Sequence, residues 1–258
     1  MRPDFAELEA EALAAPFSGW DFSWLDRRSV NEPLPWSYRQ EVARYSGSAA
    51  AMLDMGTGGG EVLSRLRPRP ARTVATEAWP PNVPVAAARL RPLGIPVVQD
   101  DGAPGNAEQA GQDGGRLPFK DGAFALVINR HEAFRATEVS RVLAPGGIFV
   151  TQQVDYHNDD DLRRLLDLEI PAQPDSWLPL AQRQLGDAGL EVVTAVAGEE
   201  RHHLTDVAAV IYYLRVVSWA IPEYSLARYR ERLRSAWAAA DRWPVTIRPR
   251  RFLLVSRR

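Results

Sequence analysis

A glycine-rich turn between an apolar segment and a helical segment constrains the fold of this chain more than any other feature. The apolar run Ala50–Met55 leads directly into Gly56-Thr57-Gly58-Gly59-Gly60, and helical spacing begins at Glu61. Glycine adopts positive φ angles at low cost and has no Cβ atom, so a ligand can approach the main chain closely. A strand that enters a helix through such a turn is typical of the ligand-binding edge of an α/β sheet.

Strand and helix patterns alternate along most of the chain. The predicted strands cover 50–55, 73–76, 95–98, 124–128, 148–154, 190–197 and 252–255. The run Phe124–Ile128 is apolar throughout, as expected of a central parallel strand that is covered on both faces. Interleaved strands and helices predict right-handed crossovers. We therefore expect an α/β fold with a doubly wound, mostly parallel sheet.

Two regions lie outside this alternation. We expect residues 1–45 to form an N-terminal arm, and residues 46–258 to form the main domain with a helical insertion at about 204–240. The arm either wraps around the core or caps a ligand pocket, and its tryptophans are Trp20, Trp24 and Trp36. Four aromatic residues of the insertion either line an acceptor pocket or pack in the core: Tyr212, Tyr213, Trp219 and Tyr224.

Composition excludes several classes of protein. The chain has 258 residues and no cysteine, so disulfide scaffolds, thiolate metal sites and cysteine nucleophiles are excluded. Lys120 is the only lysine, and without a Gly-Lys pair a Walker phosphate loop is impossible. The net charge of −2 argues against a broadly basic surface. No apolar run is long enough for a membrane span and the N-terminus lacks a signal-peptide pattern, so we expect a cytoplasmic protein.

The glycine turn departs from the nicotinamide-dinucleotide fingerprint G-x-G-x-x-G. Gly56 and Gly58 match its first two glycines, but Glu61 takes the third position, where a carboxylate would repel a pyrophosphate. Asp54 and Glu61 instead suit a positively charged ligand. Glu77 follows the second strand, 21 positions beyond Gly56, where an acid binds ribose hydroxyls in α/β nucleoside sites. A ribose joined to a positively charged group indicates S-adenosylmethionine.

Four segments, in order, resemble class I S-adenosylmethionine-dependent methyltransferases, and in particular the methyltransferase-11 type. They are Leu53–Gly59, Thr76–Trp79, Leu117–Phe124 and Glu138–Gly147. The resemblance covers about residues 36–155. It implies a Rossmann-like sheet of seven strands, S-adenosylmethionine as cofactor, and an in-line attack of an acceptor atom on the sulfonium methyl group.

The resemblance also implies roles for matching residues. Glu77 would bind the ribose diol, with Ala78 and Trp79 beside the adenine. Three acids are alternatives for the contact to the adenine amine, with Asp101 favoured: Asp100, Asp101 and Asp113. The full set of implied cofactor-binding residues is Asp54, Gly56, Thr57, Gly58, Gly60, Glu77, Ala78, Trp79, Asp101 and Asn129.

The segment after the fourth strand of the sheet would face the methyl acceptor. It contains Asn129, Arg130, His131 and Glu132. His131 is the candidate general base because an unperturbed imidazole has a pKa of about 6.5. Arg130 is a candidate for binding a carboxylate or phosphate of the acceptor. A local backbone contact of His131, and a salt bridge of Arg130 to Glu132 or Glu138, are the alternatives.

Three functions remain open. The favoured one is methyl transfer to an O, N or C atom of a small molecule. The second is methylation of ribosomal or transfer RNA, which the basic residues near the C-terminus favour and the net charge disfavours. The third is a non-catalytic S-adenosylmethionine-binding protein. No metal is expected, because the acids and His157 within 155–161 have the pattern of an acidic first turn of a helix.

Overall fold

The structure, a computed structural model, describes residues 3–103, 115–221, 223–239, 241 and 243–258. The strands are β1 (Ser29–Glu32), β2 (Ala51–Met55), β3 (Arg72–Glu77), β4 (Val97–Gln99), β5 (Phe124–Arg130), β6 (Leu143–Val154), β7 (Glu191–Glu199), β8 (Arg201–Leu204), β9 (Val245–Ile247) and β10 (Arg250–Arg257). The α-helices are α1 (Phe5–Ala14), α2 (Tyr38–Ser46), α3 (Glu61–Arg65), α4 (Asn82–Leu90), α5 (Ala136–Val142), α6 (Asp160–Leu165), α7 (Leu178–Asp187), α8 (Val207–Val216) and α9 (Leu226–Ala238). Short 3-10 helices cover Ser23–Arg27, Arg91–Leu93 and Ser218–Ala220.

The central sheet has seven strands in the order β4-β3-β2-β5-β6-β10-β7. The strands from β4 to β6 are paired in parallel. β10 is antiparallel to both of its neighbours. The predicted α/β class and the Rossmann-like, mostly parallel sheet of seven strands are therefore confirmed. The carboxyl ends of β2, β3, β4 and β5 lie at one edge, where parallel α/β sheets bind ligands.

The sheet is buried on both faces. Successive side chains of a strand point to opposite faces, and in β5 Leu126 and Ile128 join one apolar cluster while Val127 joins the other. Helices α2 and α4 cover the first face, and α5 and α7 cover the second. This arrangement explains why the sequence of β5 is apolar throughout.

A third apolar cluster joins the N-terminal segment to the helices near the C-terminus. It combines buried residues of α1, α6, α8 and α9. Beside it, β1, β8 and β9 form a small antiparallel sheet in the order β1-β8-β9. Tyr212 is fully buried in this cluster, so it packs in the core and does not line a pocket. The sequence pattern does not predict the small sheet, because its short strands contain mostly polar residues.

Some element boundaries differ from the predicted ones. The strand predicted over 95–98 is observed as β4 at Val97–Gln99. Helix α2 begins at Tyr38, because the side chain of Ser37 accepts a hydrogen bond from the Gln40 N–H at 3.3 Å and caps the helix. Within the described residues, no helix is long and apolar enough to cross a bilayer.

Candidate functional site

The glycine turn, residues 56–60, follows the carboxyl end of β2. Gly56, Gly58 and Gly60 have φ angles of 66°, 63° and 80°, a region that favours glycine. The N–H of Thr57 donates to the Thr76 carbonyl at 2.9 Å, and its hydroxyl donates to Asp54 at 2.8 Å. These bonds fix the turn to both β2 and β3.

Side chains from distant parts of the chain cover the turn closely at Gly56 and Gly58. A Cβ atom at Gly56 would collide with the side chain of Glu132, and one at Gly58 would collide with the ring of Trp20. The predicted glycine positions are therefore places where other parts of the chain approach the backbone.

Glu77 organises the turn from the end of β3. Its buried carboxylate accepts hydrogen bonds from the Gly58 N–H at 2.6 Å and from the Trp79 N–H at 2.9 Å. Burial raises the pKa of Glu77, while these two hydrogen bonds oppose the shift. Glu77 therefore lies where the sequence analysis expects the ribose ligand, and it also holds the backbone of the turn.

An acidic cleft opens beside the glycine turn. Its lining includes Met55, Gly56, Thr76, Ala78, Asp100 and Glu132. Burial, together with the charges of Glu77 and Asp100, raises the pKa of Glu132 to about 7. Burial also raises the pKa of Asp54 to about 7, and the charge of Glu77 adds to the shift. The repulsion between these carboxylates makes the cleft suited to a positively charged ligand.

The acids that were expected near the adenine differ in their position relative to the cleft. Asp100 lines the cleft and its N–H donates to the Glu77 carbonyl at 3.3 Å, whereas Asp101 is exposed and is not among the lining residues. Asp113 lies outside the described residues. The contact of Asp101 with the adenine stays a prediction, and of the two described acids Asp100 is the one that lines the cleft.

Two further residues expected beside the adenine have different environments. Ala78 lines the cleft, while the side chain of Trp79 is 62% exposed.

Asn129 ends the buried part of β5. Its Oδ1 accepts hydrogen bonds from the Thr151 hydroxyl at 2.8 Å and from the Gln153 amide. Its buried Nδ2 has no partner among the described residues. An unpaired buried donor is costly, because it has lost its hydrogen bonds to water.

His131 lies directly after β5 and has a φ of 61°, unusual for a residue with a side chain. Its N–H donates to the Gln152 carbonyl at 2.8 Å, and its Nε2 lies 3.0 Å from the amide nitrogen of Gln152. Solvent reaches the residue, yet surrounding protein atoms desolvate the ring and lower its pKa well below the usual value. The charges of Arg130 and Arg251 add to this shift.

The alternative salt bridges of Arg130 do not form. Arg130 is exposed, and none of the described carboxylates forms an ion pair with it. Glu138 pairs instead with Arg141 at 2.7 Å, and this hydrogen bond lowers the pKa of Glu138. Glu138 also accepts from the Leu117 N–H at 2.9 Å. The segments 117–124 and 138–147, which both resemble methyltransferase motifs, are thus joined by a hydrogen bond.

A family model described as a methyltransferase domain matches residues 53–151. This span runs from β2 through β6 and includes the glycine turn, Glu77, Asp100 and the end of β5. The part of the chain from residue 53 to 151 is therefore a methyltransferase domain, in agreement with the four segments that resemble this type. This match supports an enzyme that carries out S-adenosylmethionine-dependent methyl transfer.

Solved structures share the fold of this methyltransferase. A candidate methyltransferase from Bacillus halodurans aligns with a TM-score of 0.55 and 20% identity, over 85% of this chain and 96% of that chain. A protein of unknown function from Deinococcus radiodurans aligns with a TM-score of 0.54 and 16% identity, over 88% and 90%. The YcgJ protein of Bacillus subtilis aligns with a TM-score of 0.53 and 16% identity, over 86% and 97%. No curated protein sequence matches the chain.

The N-terminal arm of the methyltransferase reaches the glycine turn. The Trp20 ring, which covers Gly58, also contacts Trp219 of the insertion at a centroid distance of 5.8 Å. Trp24 stacks on Tyr212 at 4.7 Å, deeper in the third apolar cluster. Trp36 donates to Gln152 at 3.0 Å. The three tryptophans of the arm therefore anchor it at separate places.

The acidic segment after β6 has structural partners. Asp155 accepts from the Trp177 N–H at 3.0 Å, His157 lies 2.9 Å from Asp160, and Asp161 binds Arg248 at 3.3 Å. Asp160 and Asp161 occupy the first turn of α6. In the described part of the chain, no group of three or more metal-ligating side chains is gathered.

The structure adds residues that the motifs did not identify as part of the cleft. Glu132 and Trp20 both cover the glycine turn, and Gln152 contacts His131. The sequence gives no sign of these contacts, because the residues that meet, such as Trp20 and Gly58, are far apart along the chain. Glu61, expected to face a cation in the ligand, instead forms an ion pair with Arg89.

Proposed function

We propose that this methyltransferase binds S-adenosylmethionine in the acidic cleft and transfers its methyl group to a small-molecule acceptor that arrives at the end of β5. The supporting observation is the group of carboxylates beside a glycine turn whose backbone is held by Glu77. Bound S-adenosylmethionine supplies a methyl group on a positively charged sulfur. The residues of the chain bind it, orient the acceptor and exclude water.

The residues present fit this cofactor. Because Gly56 and Gly58 have no Cβ atom, Glu132 and Trp20 approach the backbone of the turn closely, and both side chains therefore lie where they can contact the cofactor. The unpartnered Nδ2 of Asn129 is a donor for an anionic or carbonyl group of the cofactor. Asp54 and Glu132 supply negative charge for its amino group and sulfonium.

The remaining cofactor contacts follow from the same cleft. We assign the ribose diol to Glu77, with Ala78 beside the adenine and Asp100, in place of Asp101, as the acceptor for the adenine amine. Asp54, Gly56, Thr57, Gly58 and Gly60 lie along the methionine portion. Holding the sulfonium and the attacking atom in line can contribute roughly 7–11 kcal/mol to lowering the barrier.

The two additional regions are assigned to the acceptor side. We take residues 1–45 and the insertion at about 204–240 as the cover of the acceptor site, since Trp20 and Trp219 meet beside the glycine turn. A cover of aromatic rings excludes water from the reacting sulfonium.

The basic residues near the C-terminus give little support to an RNA acceptor. Arg248 binds Asp161, Arg258 donates to the carbonyl of Leu143, and Arg251 is only 9% exposed. These guanidinium groups are engaged within the protein or buried, so they do not form an open basic surface of the kind that binds phosphates.

The proposed function predicts that the protein binds S-adenosylmethionine and S-adenosylhomocysteine and transfers label from methyl-labelled cofactor. Incubation with a fraction of small metabolites is expected to give labelled product, whereas a purified ribosomal and transfer RNA fraction is expected to stay unlabelled. Calorimetry without detectable binding of either compound would refute the cofactor. Label found in RNA would refute the small-molecule acceptor while leaving the cofactor in place.

Replacement of Trp20 with alanine should weaken S-adenosylmethionine binding by about tenfold, which corresponds to about 1.4 kcal/mol. The ring covers Gly58 and is 41% exposed, so its loss opens the turn to solvent without emptying the core. Trp219→Ala is the matched control, because Trp219 touches Trp20 but does not contact a glycine of the turn. Calorimetry would count against a covering role if the two variants lost equal affinity.

A further inference from the structure

A chain of two hydrogen bonds reaches the ring of His131 from the N-terminal arm. The indole Nε1 of Trp36 donates to Oε1 of Gln152 at 3.0 Å. An indole nitrogen can only donate, so the oxygen of the Gln152 amide must face Trp36. The amide nitrogen of Gln152 therefore faces His131, at 3.0 Å from Nε2.

The orientation of Gln152 determines where the His131 ring carries its proton. An amide nitrogen donates and does not accept, so Nε2 of His131 must accept. A neutral imidazole that accepts at one nitrogen carries its proton on the other. His131 is thus neutral with the proton on Nδ1. Nδ1 has no hydrogen-bond partner among the described residues.

The charged groups around the ring favour the same form. Arg130 precedes His131 in β5, and Arg251 faces it from β10; both repel an imidazolium. Glu132 follows His131 but lines the acidic cleft, and Glu200, whose charge acts on Arg251, bonds to His202 at 3.0 Å. No described carboxylate forms an ion pair with the His131 ring.

The backbone holds the ring in this position. The φ of 61° at His131 is maintained by the bond from its N–H to the Gln152 carbonyl. Gln152 itself is buried in β6, in register with Arg130. Backbone strain of this kind persists where the surrounding structure holds it, and such positions cluster at functional sites.

We propose that Gln152, oriented by Trp36, holds His131 as a neutral donor whose Nδ1–H binds an electron-rich oxygen of the methyl acceptor, so that His131 is not the general base. This proposal rests on the proposed function for the location of the acceptor. It replaces the expected role of His131 as a base, since neither ring nitrogen has a free lone pair. The exposed guanidinium of Arg130 beside it favours an acceptor oxygen with negative charge.

Nitrogen NMR of the histidine rings in the free protein tests the form of His131, with His131→Asn used to assign its signals among the four histidines. We expect the proton on Nδ1 and a pKa below that of a free imidazole. In Gln152→Glu, a carboxylate of the same shape accepts from Nε2, so the pKa of His131 should rise by about one unit or more and the ring should titrate. A proton on Nε2 in the wild type, or an unchanged ring in Gln152→Glu, would overturn the proposal.

Trp36→Phe is the second variant. It keeps an aromatic ring but removes the donor that fixes the Gln152 amide, so both ring tautomers should appear. A spectrum identical to the wild type would show that Trp36 has no positioning role. These measurements need no cofactor, so they separate failure of this proposal from failure of S-adenosylmethionine binding.

The role toward the acceptor is tested with the methyl-transfer assay once a labelled product is found. The Asn side chain in His131→Asn offers an N–H donor close to the position of Nδ1 and tolerates a positive φ, but it cannot act as a base. We expect His131→Asn to be at least tenfold faster than His131→Ala, with a pH profile that follows the wild type. Equal, complete loss in both variants would identify a base and refute the donor role.

Discussion

Glu77→Gln lowers the affinity for S-adenosylmethionine by about a hundredfold, or about 2.7 kcal/mol. The carboxylate of Glu77 accepts from the backbone of Gly58 and Trp79, at 2.6 and 2.9 Å. An amide has one accepting oxygen in place of two, and it would direct its NH₂ group against a backbone N–H. The turn therefore loses an anchor, and the ribose loses charge-assisted hydrogen bonds, which contribute about 1.5–3 kcal/mol each.

Calorimetric titration of Glu77→Gln measures this loss. Glu61→Gln is the matched control, because it lies at the same turn but its carboxylate pairs with Arg89. We expect the control to lose no more than a few-fold in affinity, and thermal unfolding should show that both variants remain folded. If Glu77→Gln binds as tightly as the wild type, Glu77 does not contact the cofactor.

The second large effect is a rise of about tenfold in S-adenosylmethionine affinity between pH 6 and pH 8, as expected for one group with a pKa of about 7. Burial raises the pKa of both Asp54 and Glu132 to about 7, so at pH 6 these groups are mostly protonated. Loss of their protons supplies negative charge for the sulfonium. S-adenosylhomocysteine has no sulfonium charge, so its affinity should change less over the same interval.

The same carboxylates give the free protein the opposite pH dependence. A carboxyl whose pKa is higher in the folded than in the unfolded chain stabilises the fold below its unfolded value, near 4, and this contribution is lost as the pH rises through about 7. The free energy of unfolding without cofactor should therefore fall from pH 5 to pH 8. Glu132→Gln should reduce the slope of both the binding and the stability profiles and leave the contribution of Asp54. A flat profile in the wild type would contradict the raised pKa values.

The local part of the fold was predictable from the sequence. An apolar run such as Phe124–Ile128 and a glycine turn such as 56–60 are formed by neighbouring residues, so their patterns are readable along the chain. The small sheet was not predictable, because it pairs Ser29 with Leu204 and His203 with Thr246. These contacts depend on the packing of distant segments.

The site was predictable by position but not by orientation. Asp100 and Asp101 are adjacent in sequence, and only the direction of the chain after β4 decides that Asp100 lines the cleft. Likewise, the sequence identifies His131 as a titratable residue beside the acceptor. Its protonation depends on Gln152 and Trp36, which are distant in sequence, so its chemistry could not be read from the motif.

The apolar cluster shared by α1 and the helices near the C-terminus affects the order in which the segments pack during synthesis. Phe5 and Leu8 bury their side chains against residues of α8 and α9 that are synthesised some two hundred positions later. Because synthesis proceeds from the N-terminus at about 5–20 residues per second, the first helix remains without its packing surface for roughly ten seconds or more. Helix α1 therefore docks only after strands β2 to β6 of the central sheet have been synthesised.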